Sequence, residues 1–191
     1  MYLFFDVETN GLPLNYAAPA TDTNNWPRIV QLAYQYYDEQ GVLLEETNRI
    51  IKPEGFIIPE EATAIHGITH EQALKEGVLL IDALEEFLSY AQETQLFVAH
   101  NADFDSKVLD AELLRNKHEL LLTASCECFC TMKHTTSICK LPGRYGKYKW
   151  PRLEELHEFL FKQSFEGAHN ALVDVQITAK CFFELKRLGY W

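Results

Sequence analysis

Two rhythms of hydrophobic and polar positions run through this chain. Residues 2–7 form a nearly continuous apolar run that takes in Asp6, and they predict a central strand. Residues 11–27 are polar, with scattered Asn, Pro and Ala, and predict a loop. Residues 29–37 and 42–51 predict two further strands joined by a hairpin turn at Asp38-Glu39-Gln40-Gly41. The helical rhythm then takes over. Residues 60–65 predict one or two helical turns, and Thr69-His70-Glu71-Gln72 resembles a capping box opening another helix. In 82–93, Leu84, Phe87, Leu88 and Ala91 recur at helical spacing, with Asp82 as the expected cap. A short buried strand at 96–99, a helix at 102–116, a strand at 128–132 and helices at 153–161 and 171–188 complete the pattern. No internal repeat or linker divides it, so the expectation is one α/β domain over residues 1–191.

Three segments place acids in apolar surroundings, where an unpaired charge is costly to bury. They are Phe5-Asp6-Val7-Glu8-Thr9, His100-Asn101-Ala102-Asp103-Phe104-Asp105 and His169-Asn170-Ala171-Leu172-Val173-Asp174. Asp6 and Glu8 stand two apart, so strand alternation puts them on one face. Carboxylates that close ionise together only with a cation between them. Taken alone, Asp-x-Glu is a weak signal that also fits two acids pointing into solvent at a strand end.

In the second segment helical phase separates two acids. Asp103 shares its stripe with Ser106, Lys107 and Asp110, the expected polar face, whereas Asp105 precedes Val108 and Leu109 on the buried face. Asp105 is therefore the functional candidate and Asp103 a solvated acid at a helix start. Asp174 heads a stripe through Thr178, Cys181, Leu185 and Leu188, so its carboxylate points toward the core side and needs a partner. His169 falls in the loop before that helix, with Asn170 as its N-cap. His66, His70, His118, His134 and His157 have no such context of their own and read as histidines without a task. Brought together, the three segments form a cage of oxygens for divalent cations with a histidine beside it. That is equipment for metal-assisted hydrolysis of phosphodiesters.

In order and spacing the segments resemble the three exonuclease motifs of the DEDD superfamily, in the subclass whose last motif carries histidine. The superfamily includes the proofreading epsilon subunit of bacterial DNA polymerase III, ribonuclease T, oligoribonuclease and the TREX-type nucleases. Phe5 through Leu12 resembles the first motif, His100 through Asp105 the second, and His169, Ala171 and Asp174 the His-x-Ala-x-x-Asp pattern of the third. The resemblance runs from residue 2 to about 188. Asn10 stands where many relatives carry a second threonine, and Asn also serves a tight turn.

The resemblance implies a ribonuclease H-like α/β fold, with a central mixed five-stranded sheet flanked by helices, and a two-metal mechanism. Asp6, Glu8 and Asp174 would hold the metals directly, and Asp105 directly or through water. His169 would be the general base toward the attacking water. Two Mg²⁺ or Mn²⁺ ions suit an all-carboxylate cage better than zinc. The expected reaction releases 5′-mononucleotides from a free 3′ end, single-stranded and DNA in preference to RNA. An exoribonuclease of the ribonuclease T or oligoribonuclease type and a partner-dependent binding module are the alternatives. Thr9, Leu12 and the Ile65-His66-Gly67-Ile68 segment resemble the family's clamp on the terminal nucleotide.

Charge modifies this picture. The net charge of −11 over 191 residues argues against indiscriminate nucleic-acid binding. Yet residues 128–153 contain no acid and six cations, Lys133, Lys140, Arg144, Lys147, Lys149 and Arg152. The stretch from Lys140 to Trp150 interleaves those cations with aromatics. It could track a phosphate backbone through Lys149 and stack bases on Trp150, or be a solvated loop whose Trp150 and Pro151 anchor the next helix. Both readings stay open.

Five cysteines, with no secretory leader and no apolar run of membrane-spanning length, predict free thiols in the cytoplasm and no membrane partner. Cys126, Cys128 and Cys130, followed by His134 and Cys139, invite a zinc site. Their spacing departs from paired Cys-x-x-Cys hooks, and alternation instead puts the first three on one strand face as small hydrophobes. No clamp-binding peptide stands outside the predicted elements, and the chain ends at Trp191, where the epsilon subunit continues into a docking extension. A free-standing enzyme, or one recruited by an unknown partner, is the expectation; a polymerase partner is not indicated.

Overall fold

The computed structural model describes residues 1–118, 122 and 128–190. The opening apolar run becomes β1 (Tyr2–Thr9), longer than the sequence predicts, so Glu8 and Thr9 belong to the strand. It pairs antiparallel with β2 (Ile29–Tyr37), which pairs antiparallel with β3 (Leu43–Ile50) across the expected turn, where Gly41 takes φ +83°. On its other side β1 runs parallel to β4 (Leu96–Ala99), and β4 to β5 (Cys128–Cys130). The result is a mixed five-stranded sheet in the order β3-β2-β1-β4-β5. This agrees with the fold the sequence implied.

Helices cover both faces because β1 is apolar on both. Leu3, Phe5 and Val7 pack with Leu84 and Phe87 of α3 (Leu80–Ala91) and with Val108 and Leu109 of α4 (Ala102–Arg115). On the opposite face Phe4, Ala33 and Val98 lie under Ala171, Val175, Ala179 and Phe182 of the C-terminal helix, Ala171–Arg187. Each buried Phe or Leu side chain contributes on the order of 2 kcal/mol. Between β3 and α3 along the chain come α1 (Glu60–His66) and α2 (His70–Glu76). After β5 the chain makes two single turns, α5 (Thr131–His134) and α6 (Thr136–Cys139), then α7 (Leu153–Phe161), so that the C-terminal helix is α8.

Several local expectations change. Asp82 does not cap α3; the helix begins at Leu80, and Leu79 at the cap position makes no side-chain bond. The apolar Leu80 is buried with the α3 core face, and that packing extends the helix backward past the polar signal. Only half of the capping box forms on α2. Thr69 accepts from Gln72 N–H, but the Gln72 amide turns forward to Glu76. The strand foreseen at 128–132 stops at Cys130 and turns into α5. Ser106 and Asp110, expected on a solvated face of α4, are buried, with Asp110 Oδ1 accepting from Leu122 N–H at 2.6 Å. Contacts from outside the helix, such as that of Leu122, are not registered by its periodicity.

Candidate active site

β4 is short, and that creates the site. The β1–β4 ladder ends at Phe4 and Val98, so β1 runs on beyond its neighbour. The first turn of α4 fills the notch, and Asp105 Oδ1 accepts the Val7 N–H that no strand reaches, at 3.3 Å. Asp105 is 2% exposed, and its Oδ2 is buried without a hydrogen-bond partner. A buried carboxylate oxygen left bare is costly unless a cation or donor completes it.

Asp6 and Glu8 alternate with Phe5 and Val7, on the same side of β1 as Phe4 and therefore toward α8. Asp174 stands in the first turn of α8, where Asn170 caps the helix by accepting from Leu172 and Val173 N–H. Gln31 on β2 accepts from Ala171 N–H at 3.1 Å and fixes the helix start to the sheet. His169 precedes the cap in a left-handed conformation, φ +67°, after Gly167 at φ +86°. Such a backbone is strained for a residue with a Cβ, by roughly 1–2 kcal/mol. It is held by the His169 N–H, which donates to Asp174 Oδ2 at 3.0 Å. One donor atom each from Glu8, His169 and Asp174 lie within 4.8 Å of one another.

The electrostatics follow from four acids in one place. Burial, then the charges of Asp105, Glu8 and Asp174, push Asp6 well above the carboxylate range. Burial likewise raises Asp105, although the Val7 N–H bond opposes it. Glu8 is pushed up to about 7, by burial first and Asp174 second. Asp174 rises to about 6 by burial, with the His169 N–H bond and the imidazole pulling it back. Repulsion and desolvation of this size are relieved by a divalent cation. The donor set, all carboxylate oxygen with one imidazole at the edge, fits Mg²⁺ or Mn²⁺.

The acids open into two adjoining cavities. One, about 500 Å³, runs from Asp6, Asp105 and Asp174 to Trp150 and Pro151 on the far wall. The other, about 530 Å³, shares Glu8 and His169 with it and is lined by Thr9, Leu12, Ile65 and His66. Both volumes suit a nucleotide-sized ligand. Leu12 and Ile65 are 73% and 59% exposed, large apolar side chains held open at the rim. The Thr9 hydroxyl donates to Gly11 O at 2.7 Å. His66 is buried, and its Nδ1 accepts from Ile68 N–H. Burial lowers the pKa of His66, with a bond to the Thr9 backbone pulling the other way. Trp150 lines the first cavity and is 60% exposed. Lys149 lies elsewhere, its ammonium on Glu155 Oε1 at 2.5 Å, and it lines neither cavity. Asp103, solvated as foreseen, pairs with Lys133.

Three residues without a role in the sequence reading also belong here. His100 donates from Nε2 to Pro151 O at 3.1 Å and meets the Thr131 hydroxyl through Nδ1 at 2.9 Å, bracing the segment that carries Trp150. Burial holds its pKa down to about 4, so the ring is neutral at pH 7. Asn101 and Phe104 line both cavities, Asn101 with φ +77°, a conformation Asn tolerates better than most residues. All three sit inside the second motif, and that clustering was the one available signal.

The cysteines and His134 disperse. Cys128 and Cys130 pack against the α3–α4 core, as alternation predicts. Cys139 sits in a separate cluster with Leu153, Leu156 and Cys181, and His134 Nε2 donates to Tyr190 O. Cys126 lies outside the described residues.

Residues 3–182 match the exonuclease family named for ribonuclease T. The uncharacterized exonuclease CP81 of Escherichia phage 186 is 30% identical over 193 aligned positions, which cover 92% of this chain and 83% of that protein. A PolC-type DNA polymerase III of Staphylococcus saprophyticus is 27% identical over 96% of this chain, but the chain spans only 11% of its length. Among solved structures, E. coli exonuclease I in complex with a dA16 oligonucleotide superposes with a TM-score of 0.75 at 20% identity, over 97% of this chain and 40% of that one. Exonuclease X in complex with 5′ overhanging duplex DNA gives a TM-score of 0.62 at 24% identity, over 100% of this chain and 94% of that one. The solved structures share the fold; the sequence matches carry the assignment, and the chain belongs to the exonuclease family.

Proposed function

We propose that this exonuclease is of the histidine-bearing DEDD subclass, removes 5′-mononucleotides from the 3′ end of single-stranded DNA, and uses two divalent cations. The observation that carries the reading is the buried, unpartnered Oδ2 of Asp105 beside three more acids whose proton affinities are all raised. Asp6, Glu8, Asp105 and Asp174 would hold Mg²⁺ or Mn²⁺, which supply Lewis-acid stabilisation of the attacking and leaving oxygens.

The chain's own groups do the rest. Exposed His169 sits at the edge of the acid cluster and takes the proton of the attacking water on a ring nitrogen. Asp174 fixes the loop through the His169 N–H. Leu12 and Ile65 flank the terminal nucleoside in the second cavity, whose wall Thr9 and His66 complete. Trp150 faces the strand from the other cavity. DNA is preferred over RNA because the solved neighbours bound to nucleic acid hold DNA.

The test is digestion of matched 5′-labelled single-stranded DNA and RNA oligonucleotides with Mg²⁺ or Mn²⁺ and with EDTA. A metal-dependent ladder shortening from the 3′ end, faster on DNA, is expected. Faster loss of RNA would replace the substrate with an exoribonuclease's, and shortening from the 5′ end would overturn the polarity.

A further inference from the structure

Beyond the two cavities at the acids lies a third groove of about 340 Å³, lined by Tyr16, Trp26, Phe104 and Trp150 with Lys133 at its edge. Asn101 and Phe104 line all three spaces, Tyr16 the second and third, and Trp150 the first and third. The groove is therefore continuous with the cleft rather than a separate pocket. Its walls are unusually aromatic for a solvated surface. Tyr16 is 56% exposed and Trp150 60%, and the Tyr16 and Phe104 ring centroids are 6.4 Å apart.

Its shape is set by tertiary contacts. Trp26 is buried beneath, its indole N–H donating to Pro19 O, and Lys107 lies over its ring while donating to Tyr16 O. Arg115 holds the carbonyls of Thr23, Trp26 and Pro27, and Glu112 accepts from Arg28 and Ile29 N–H. A loop pinned in so many places presents Tyr16 without ordering it afresh. Lys107 supplies positive charge beside the rings, in a protein whose net charge is −11, while Lys133 is paired with Asp103, which lines the same groove.

We infer that this groove is a subsite for an unpaired base upstream of the scissile phosphate, stacked between the Tyr16 and Trp150 sides with Phe104 as its floor. A purine or pyrimidine presents a flat π-face to such walls whatever its identity, so the subsite selects single strands without selecting sequence. A base still paired in a duplex has no free face to offer. The inference rests on the nuclease reading above and adds to it where the rest of the strand lies.

The test compares substrates of increasing length in the intact protein with Mg²⁺ or Mn²⁺. Thymidine 5′-monophosphate p-nitrophenyl ester carries one nucleoside and stops short of the groove; a single-stranded octanucleotide reaches it. Tyr16→Ala should raise KM on the octanucleotide by roughly ten-fold, within what one stacking contact is worth. Tyr16 also borders the second cavity, so the length control is Ala17, which lines this groove alone of the three: in Ala17→Glu the KM for the ester should change far less than the octanucleotide KM. Tyr16→Phe, which keeps the ring, should restore the octanucleotide KM, and this rescue separates stacking from a folding defect. Ala17→Glu, placing a carboxylate in the same groove, should reproduce the length-dependent loss. Wild-type turnover on both substrates with equal KM changes in Ala17→Glu would overturn the groove alone. No wild-type turnover on either substrate would bring down the nuclease reading, and this subsite with it.

Discussion

The acid cage and its rim are built in opposite ways. The cage hangs on regular elements: Asp6 and Glu8 on β1, Asp105 and Asp174 in the first turns of α4 and α8. The rim hangs on loops and one short helix: Leu12 in the segment after β1, Ile65 near the end of α1, Trp150 just before α7. Regular elements fix side-chain direction by period, so four acids converge without long-range adjustment. The rim gets its geometry from tertiary pins such as Asn10 on Arg28 and His100 on Pro151. Chemistry demands ångström placement of the cage, whereas binding tolerates variation in the rim. Substitutions in the two regions should therefore fail differently.

The largest effect belongs to the cage. Asp174→Ala removes a proposed metal ligand and the acceptor of the His169 N–H together, and turnover should fall by on the order of 10³-fold or more. Octanucleotide cleavage followed with excess Mn²⁺ measures it. Near wild-type rates would remove Asp174 from the metal set and dissolve the contrast with the rim.

Next comes His169→Ala, with a loss of about 10²-fold in the single-turnover rate and a nearly unchanged Kd for substrate. His169 is exposed and touches the cage from outside, so its loss should spare both fold and metal binding. A collapsed affinity with the chemical step preserved would move His169 into the rim.

How much of this the sequence disclosed follows the same division. Strand alternation predicted that Asp6 and Glu8 share a face, and helical phase picked Asp105 over Asp103; both statements need only local geometry. The five-strand sheet came through the resemblance. The period of α4 could not predict that Ser106 and Asp110 are buried, because burial there involves contacts from outside the helix, such as the Leu122 N–H on Asp110. Lys149 illustrates the same limit. A basic residue beside an exposed Trp suggested a phosphate contact, yet Glu155, six residues on, takes its ammonium. Tyr16 and Trp26 lay inside a stretch that reads only as polar loop, so that side of the aromatic groove had no sequence signal, and only Trp150 across from it did.

The cage should also betray itself in stability before any substrate is added. Without a cation, folded Glu8 keeps its proton up to about 7 and folded Asp174 up to about 6, whereas both lose it near 4 when unfolded. The folded state thus binds more protons across that window, and its stability must fall as pH rises from about 4 to about 7. From these two groups the loss between pH 5 and pH 8 should amount to about 4 kcal/mol. Urea midpoints in EDTA at pH 5 and pH 8 would record it. Excess Mg²⁺ at pH 8 should restore the midpoint, and Glu8→Gln should flatten the dependence in EDTA. A midpoint that rises with pH in EDTA would mean the acids are already satisfied within the protein, leaving no demand for a metal.

The smallest effects test the rim. Leu12→Ala trims an exposed side chain that touches no reacting atom, so kcat should hold while KM rises about five-fold, the value of a modest apolar contact. Lys149→Ala should shift KM by less than about two-fold, since the ammonium it removes is already paired on the surface. Steady-state kinetics on the octanucleotide at two ionic strengths distinguishes the pair. If Lys149→Ala costs more than Leu12→Ala and the excess vanishes at high salt, the ion pair with Glu155 opens when the strand binds. The basic loop would then track phosphates, and the rim would extend from the two cavities out along that loop. If the loss follows Leu12 at both salt concentrations, grip on the 3′ end is apolar, and the cations of 140–152 lie outside the strand's path.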